Sequence, residues 1–232
     1  MTMTAPTAVR AKTRVLIIED HVVFAESLEL ALSIEGYDAR RLPLPDCARS
    51  GELVATVARL RPRVVLLDLD LGSFGDGVRL IHPMARSGAN VVVVTASADK
   101  CLWGECMRNG ARKTLTKTQP LNEMLAVVRR IQEGLPVVSA AEREDLLACW
   151  DEHRIAVEQQ RERLGRLTRR EREVLAQLTL GRSVREVART SFVSEATVRT
   201  QVKSILAKLD VSSQLAAVGL ANHAGWRPPV DA

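Results

Sequence analysis

Three short apolar runs end in side chains able to do chemistry together. Arg63-Val-Val-Leu-Leu-Asp-Leu-Asp-Leu-Gly72 breaks from a β-branched stretch into Asp68 and Asp70, and Arg14-Val-Leu-Ile-Ile-Glu-Asp-His21 breaks into Glu19 and Asp20. Asn90-Val-Val-Val-Val-Thr-Ala-Ser97 ends in a hydroxyl, Thr95, and Ala111-Arg-Lys-Thr-Leu-Thr-Lys117 ends in an ammonium, Lys117. Apolar runs of this length without period-2 alternation suit parallel strands buried on both faces. In an open α/β sheet, ligands bind beyond the carboxyl ends of the strands. A lone Asp68 could simply cap a turn. Glu19, Asp20 and Asp68 with a hydroxyl and a lysine at matching strand ends ask for more.

Clustered carboxylates repel one another unless a cation neutralises them, and an all-oxygen donor set favours a hard ion such as Mg²⁺. Metal, ammonium and hydroxyl around one carboxylate suit phosphoryl transfer, in which positioning and charge neutralisation do most of the catalysis. Asp68 is the expected nucleophile, forming an acyl phosphate.

With these residues in this order, residues 14–138 resemble the receiver domain of a two-component response regulator. The resemblance implies that Asp68 accepts the phosphoryl group and that Asp20, Asp68 and the backbone carbonyl of Asp70 ligate Mg²⁺, with Glu19 assisting through water. Thr95 and Lys117 are then expected to contact the phosphoryl oxygens. The sequence departs from that pattern at Thr114, where such domains usually carry a tyrosine or phenylalanine that relays the switch, and at Lys113, often a glycine. Trp103 is a candidate substitute for the missing aromatic, with plain packing as the alternative.

Helical periodicity separates the runs. Val22–Ile34 carries Val23, Phe24, Leu28, Ala31 and Leu32 at helical spacing, and further helices are expected over 46–60, 78–86, 99–108 and 121–132, with a short strand over 37–42. Strand and helix alternating five times give a doubly wound (βα)5 unit with a five-stranded parallel sheet. Residues 1–13 read as a disordered lead, and Gly72-Ser-Phe-Gly-Asp-Gly77 as a turn that leaves the site accessible, not a nucleotide loop.

The stretch 139–165 lacks proline and is rich in Ala, Glu, Arg, Gln and Leu, so a helical linker packing one side against a domain is expected, with a coiled coil only weakly supported. His153 reads as surface polar. Cys47, Cys101, Cys106 and Cys149 form no CxxC pair and are read as reduced thiols, a disulfide or metal site being the minor alternative.

The net charge of +5 is unevenly spread. Residues 14–138 hold 16 basic against 15 acidic side chains, residues 139–165 hold 4 against 7, and residues 166–210 hold 10 against 5. The basic excess points to a polyanionic partner for the C-terminal part, with a solvated basic face as the alternative. Thr168-Arg-Arg-Glu171 and Ser183-Val-Arg-Glu186 are two capping boxes, and Ser194 opens a third helix with Val198, Val202, Ile205 and Leu209 on one side. A fourth helix over 213–224 is expected to close the core with Leu215, Val218 and Leu220. Residues 166–226 thus read as an all-α four-helix unit with a helix-turn-helix plan, followed by a tail at 227–232.

Leu167-Thr-Arg-Arg-Glu-Arg-Glu-Val-Leu175, Val193-Ser-Glu-Ala-Thr-Val198 and Ile205-Leu-Ala-Lys-Leu209 resemble the DNA-binding domain of the LuxR/NarL class. The resemblance implies that Arg199, Thr200, Gln201 and Lys203 face the major groove of double-stranded DNA. Lys203 and Lys208 are expected at phosphates, and Arg182 and Arg185 at the backbone, with ordinary surface arginines as the alternative for the last two. Gln201 stands where the class often has histidine, so base preference does not carry over.

The whole reads as a cytoplasmic transcription regulator, not an enzyme, phosphorylated at Asp68 by a sensor histidine kinase and homodimeric when active or on DNA. No apolar run reaches the ~18 residues of a membrane span, and no secretory signal pattern opens the chain. Two alternatives remain: a phosphorylation-independent regulator that uses its receiver to dimerise, and a haloacid-dehalogenase-like phosphatase built on Asp68-Leu-Asp70. The second normally carries its motif after the first strand and leaves Glu19 and Asp20 unexplained.

Overall fold

The computed structural model describes residues 13–44, 50–72 and 75–227, in two compact units that meet at residues 150 and 151. The expected lead over 1–12, the start of the second helix with Cys47, part of the glycine loop and the tail from 228 lie outside the described residues.

In the first unit, β1 (Arg14–Ile18), β2 (Asp38–Arg41), β3 (Val64–Leu67), β4 (Asn90–Thr95) and β5 (Lys113–Thr116) form one parallel sheet in the order β2-β1-β3-β4-β5. Helices α1 (Val22–Ile34), α2 (Ser50–Leu60), α3 (Val78–Arg86), α4 (Lys100–Arg108) and α5 (Leu121–Gln132) connect the strands. Alternate residues of β1 and β3 feed two separate cores. Leu16, Ile18, Val65 and Leu67 pack with α2 and α3, whereas Val15, Ile17, Val64 and Leu66 pack with α1 and α5. That two-sided burial is why the strands read as unbroken apolar runs. In α1 the buried residues are Ala25, Leu28 and Leu32, while Val23 is 78% exposed, so the apolar stripe sits differently from the one the sequence suggests.

The register matters for chemistry. Ile18 pairs with Leu67, Leu67 with Val93 and Thr95 with Thr116, so the residues that follow β1, β3 and β5 emerge along one edge with Thr95. Gly77, in the loop after β3, donates its backbone N–H to the Leu69 carbonyl at 2.9 Å. A Cβ there would strike the Asp68 carbonyl and lie 2.8 Å from Leu69 Cα. Gly77→Ala therefore has to displace the backbone that presents Asp68; the expected cost is about 1–3 kcal/mol, read as a lower thermal midpoint. An unchanged midpoint would show that the loop can give way freely.

Helix α6 (Ala140–Gly165) contributes to both units. Within the first unit, Leu146 is 6% exposed and lies over Gly104 of α4. Within the second, Leu164 belongs to the core. The helix expected from composition is present, and it buries a side chain within each unit.

The second unit holds α7 (Arg169–Thr179), α8 (Val184–Thr190), α9 (Glu195–Leu209) and α10 (Gln214–His223). Its core gathers Val174, Leu175, Val187, Val198, Val202, Ile205 and Leu209. The fourth helix closes that core with Ala217, Ala221 and Ala224, not as expected with its large residues: Leu215 is 82% exposed, and Val218 and Leu220 pack only partly buried. Small side chains let α10 approach closely, and spacing at i, i+4 and i+7 puts those three alanines on one face. Among the described residues no single helix is long and apolar enough to cross a membrane.

One expectation about the thiols is corrected. Cys101 of α4 and Cys149 of α6 are joined by a disulfide, across Cα atoms 5.0 Å apart and 48 residues of sequence. Nothing in local spacing encodes the pair, because the two cysteines meet only when α6 lies along α4. Cys106 stays free and buried, and that burial pushes its thiol up to about 12.

Candidate functional site

Asp68 follows β3 directly and is 2% exposed; its backbone N–H is held by the Ile18 carbonyl at 2.9 Å. Oδ1 accepts from the Asp70 N–H at 3.3 Å, which fixes the carboxylate over the strand end. Oδ2 meets Lys117 Nζ at 2.7 Å, and the same ammonium reaches Glu19 Oε1 at 2.7 Å. Lys117 is itself positioned through its backbone N–H, bonded to the Thr95 carbonyl at 2.8 Å. Thr95 is 4% exposed, and its hydroxyl accepts from the Ser97 N–H at 3.2 Å.

Glu19, Asp20, His21 and Asp68 each offer one ligand atom, all within 4.8 Å of one another. Burial raises the Glu19 pKa, the hydrogen bond from Lys117 opposes the rise, and the charge on Asp68 adds to it. Burial lowers the Lys117 pKa, but the hydrogen bonds to Asp68 and Glu19 outweigh it and hold the ammonium above its ordinary value. A single ammonium faces three carboxylates, which leaves net negative charge and open oxygen donors. That donor set fits a hard divalent cation such as Mg²⁺. Asp20 is the most open of the three, with 32% of its side chain exposed against 3% for Glu19, and Gly72 beside it leaves only 3.4 Å to its Oδ2 for any added Cβ.

Two neighbours of this cluster escape a sequence reading. His21 Nδ1 lies 2.8 Å from Asp20 Oδ1 and 3.1 Å from Glu19 Oε1, so it steers both carboxylates. The positive charge of Lys117 repels an imidazolium and works against protonation of His21, yet the bonds to Asp20 and Glu19 prevail and raise its pKa. Phe24 carries Lys117 Nζ 5.5 Å from its ring centroid. Adjacency to Glu19-Asp20 could have flagged His21; nothing local flags Phe24. Thr114 is 4% exposed and its hydroxyl lacks a partner. Trp103 is half-buried, and its indole Nε1 donates to the Ser97 carbonyl at 3.0 Å.

In the second unit, both capping boxes form. Thr168 Oγ1 accepts from the Glu171 N–H and Glu171 Oε2 from the Thr168 N–H, while Ser183 and Glu186 repeat the exchange. Ser194 caps α9 by accepting from the Thr197 N–H at 3.1 Å. Arg199, Thr200 and Lys203 are exposed on α9, and Gln201 is half-buried. Arg199 holds Glu195 at 3.2 Å, one turn away, and Thr200 bonds the Ala196 carbonyl. Arg185 is exposed, and Arg182 is bonded to Gln177. The Lys208 ammonium lies 2.7 Å from Glu171 Oε2, held by a carboxylate that is 6% exposed.

Family models match both units: the response regulator receiver domain over residues 15–129, and bacterial regulatory proteins of the luxR family over 165–221. An uncharacterized transcriptional regulatory protein of Bacillus subtilis, YhcZ, is 28% identical, over 88% of this chain and 92% of its own length. A probable transcriptional regulatory protein NarL of Mycobacterium tuberculosis is 29% identical over 89% and 92%. Among solved structures, one titled as a complex of the two-component response regulator RcsB with DNA covers 92% of this chain and 99% of that chain, at 21% identity and a TM-score of 0.49. With both units matched along the chain and relatives aligned over nearly their whole length, the protein belongs to the two-component DNA-binding response regulators, with a receiver domain followed by a LuxR-type helix-turn-helix domain.

Proposed function

We propose that residues 14–138 form the phosphoacceptor unit, that 139–165 link it to the DNA-binding unit at 166–226, and that Asp68 receives a phosphoryl group from a sensor histidine kinase. The observation that carries the reading is Lys117 held at 2.7 Å from both Asp68 and Glu19 at one strand edge. An Asp68 oxygen attacks phosphorus, the bond to the donor's imidazole nitrogen breaks, and Asp68 becomes an acyl phosphate. Lys117 is free to follow the negative charge from the carboxylate to the phosphoryl oxygens, and the Thr95 hydroxyl turns toward them. Mg²⁺, held by Asp20, Asp68 and the Asp70 carbonyl with Glu19 behind, would neutralise charge on the transferring group. The protein would act in the cytoplasm and pair as a homodimer on two half-sites of an operator.

The test is intact mass after incubation with Mg²⁺ and a small-molecule phosphodonor, together with selection of bound duplexes from a random DNA library. A gain of one hydroxylamine-labile phosphoryl group and tighter binding to the enriched sequence are expected. Absence of the adduct under both donor and kinase would end the proposal. Thr114, standing where the relaying aromatic is usual, favours one second reading, a regulator that uses its receiver to dimerise and whose DNA binding ignores phosphorylation; enriched-sequence affinity unchanged by the adduct would select it.

On the enriched sequence, Arg199→Ala should cost about 1–3 kcal/mol and relax selectivity at one base position, as expected of an arginine that leaves Glu195 to take a base edge. Binding-site selection with the variant gives the check. An unaltered profile would remove Arg199 from base reading.

A further inference from the structure

The first half of α6 is seated on α4 by several independent contacts, and one of them is covalent. Gly104 provides the notch: a Cβ there would strike the Leu146 carbonyl and lie 2.8 Å from Trp150 Cβ. The Arg108 guanidinium lies 5.7 Å from the Trp150 ring centroid, and beyond α4 the Lys113 Nζ of β5 reaches Glu142 Oε1 at 2.5 Å. Arg143 approaches the Met107 sulfur at 3.9 Å. Cys101–Cys149 then ties the first turn of α4 to residue 149 of α6.

Both bonded cysteines are half-buried, whereas Cys106 is sealed in the core with its thiol pushed up to about 12 and is unfit to exchange with them. Cys101 is the second residue of α4, its N–H bonded to the capping carboxylate of Asp99 at 2.8 Å. The start of α4 favours negative charge and the Asp99 carboxylate opposes it, so either sulfur can leave as the thiolate.

We propose that Cys101 and Cys149 are a thiol–disulfide exchange site, whose two-electron reduction by a small thiol or a dithiol protein unfastens the first half of α6 from α4. The donor thiolate attacks Cys149 Sγ, the Sγ–Sγ bond breaks, and Cys101 leaves as thiolate. A second donor thiolate attacks the donor sulfur of the mixed disulfide and expels Cys149. Two donor thiols become one donor disulfide, and their two protons end on the two cysteines. The consequence for signalling rests on the phosphoacceptor reading. Trp103 ties α4 to the Ser97 carbonyl, two residues beyond Thr95, so the oxidised clip couples that loop to α6 through a covalent bond and the reduced one through weaker contacts.

The test uses the full-length protein, oxidised with glutathione disulfide or reduced with a phosphine, and reads peptide mapping and hydrogen exchange, neither of which requires phosphorylation. A Cys101–Cys149 cross-linked peptide is expected in the oxidised sample alone. Amides over 140–150 should exchange roughly tenfold faster on reduction while β3 and β4 keep their protection. Cys149→Ser should match the reduced wild type under both conditions, and Cys106→Ser should respond as the wild type does. Failure to recover the cross-link would overturn the site. A reversible cross-link with unchanged exchange over 140–150 would overturn the release.

Discussion

Asp68→Asn is expected to abolish the one-phosphoryl mass gain outright, without loss of the fold. An asparagine amide cannot form an acyl phosphate under these conditions, so the change removes the bond-forming atom and not merely a contact. The surroundings tolerate it. Lys117 keeps Glu19 at 2.7 Å, and the asparagine oxygen can still accept from the Asp70 N–H. Burial is the larger reason the Glu19 carboxyl titrates high, and the nearby Asp68 charge adds to it. Neutralising residue 68 removes that addition, so Glu19 should titrate lower in the variant and the edge should be less repulsive. Cation binding should weaken at the same time. Losing a second-shell partner already costs about 10–100-fold at metal sites, and Asp68 is assigned a direct ligand's place. Intact mass with a phosphodonor and Mg²⁺ titration followed by intrinsic fluorescence are the two readouts. An adduct of undiminished stoichiometry in the variant would move the acceptor to another residue.

Much of that edge is legible in the sequence for a physical reason. A parallel strand buried on both faces must be apolar, so the first polar residue after it marks the sheet's carboxyl end, and Glu19 and Asp68 align from the sequence alone. Capping boxes are equally local: Thr168 with Glu171 and Ser183 with Glu186 act over three residues, and both form. What depends on distant packing is not legible. Phe24 meets Lys117 across 93 residues of chain only because α1 lies beside β5's end. Cys101 and Cys149 pair only once α6 is laid along α4. The core face of α10 is not legible from Leu215, because close approach of Ala217 and Ala221, and not hydrophobic size, decides the packing. Lys208 reads as one more basic residue of a basic segment until Glu171, 37 positions away, is found buried beside it.

That carboxylate sets the second large effect: Glu171→Ala should lower the stability of the DNA-binding unit by about 3 kcal/mol at neutral pH, more than any exposed charge in the unit. Burial alone would raise the Glu171 pKa, but hydrogen bonds from Lys208 at 2.7 Å, Ser204 at 2.6 Å and the Thr168 backbone at 2.7 Å overcome it and hold the carboxyl at about 2. The gap from its ordinary value of 4.5 corresponds to about 3 kcal/mol at 1.36 kcal/mol per unit. Lys208 is 34% exposed, so its share is screened, while the cap on α7 contributes about 1 kcal/mol of its own. The folded-state pKa is depressed, so this stability is fully present above about pH 4.5 and is lost as pH falls through about 2. The penalty of Glu171→Ala should therefore shrink steadily between those two values. Glu171→Gln, which can still accept from the Thr168 N–H but cannot pair with the Lys208 ammonium, should fall between the two at about 1–2 kcal/mol. Urea titration of the full-length protein, followed by hydrogen exchange in α7 and α9, reads the unit by itself. A wild-type-to-alanine difference that stayed constant from pH 6 to pH 2.5 would show that Glu171 acts through packing and not through its charge. The same carboxylate bridges α7 to α9 through Ser204 and Lys208, so its loss should loosen the helix that carries Arg199 and Lys203 and weaken DNA binding as a positioning defect, with the base preference retained.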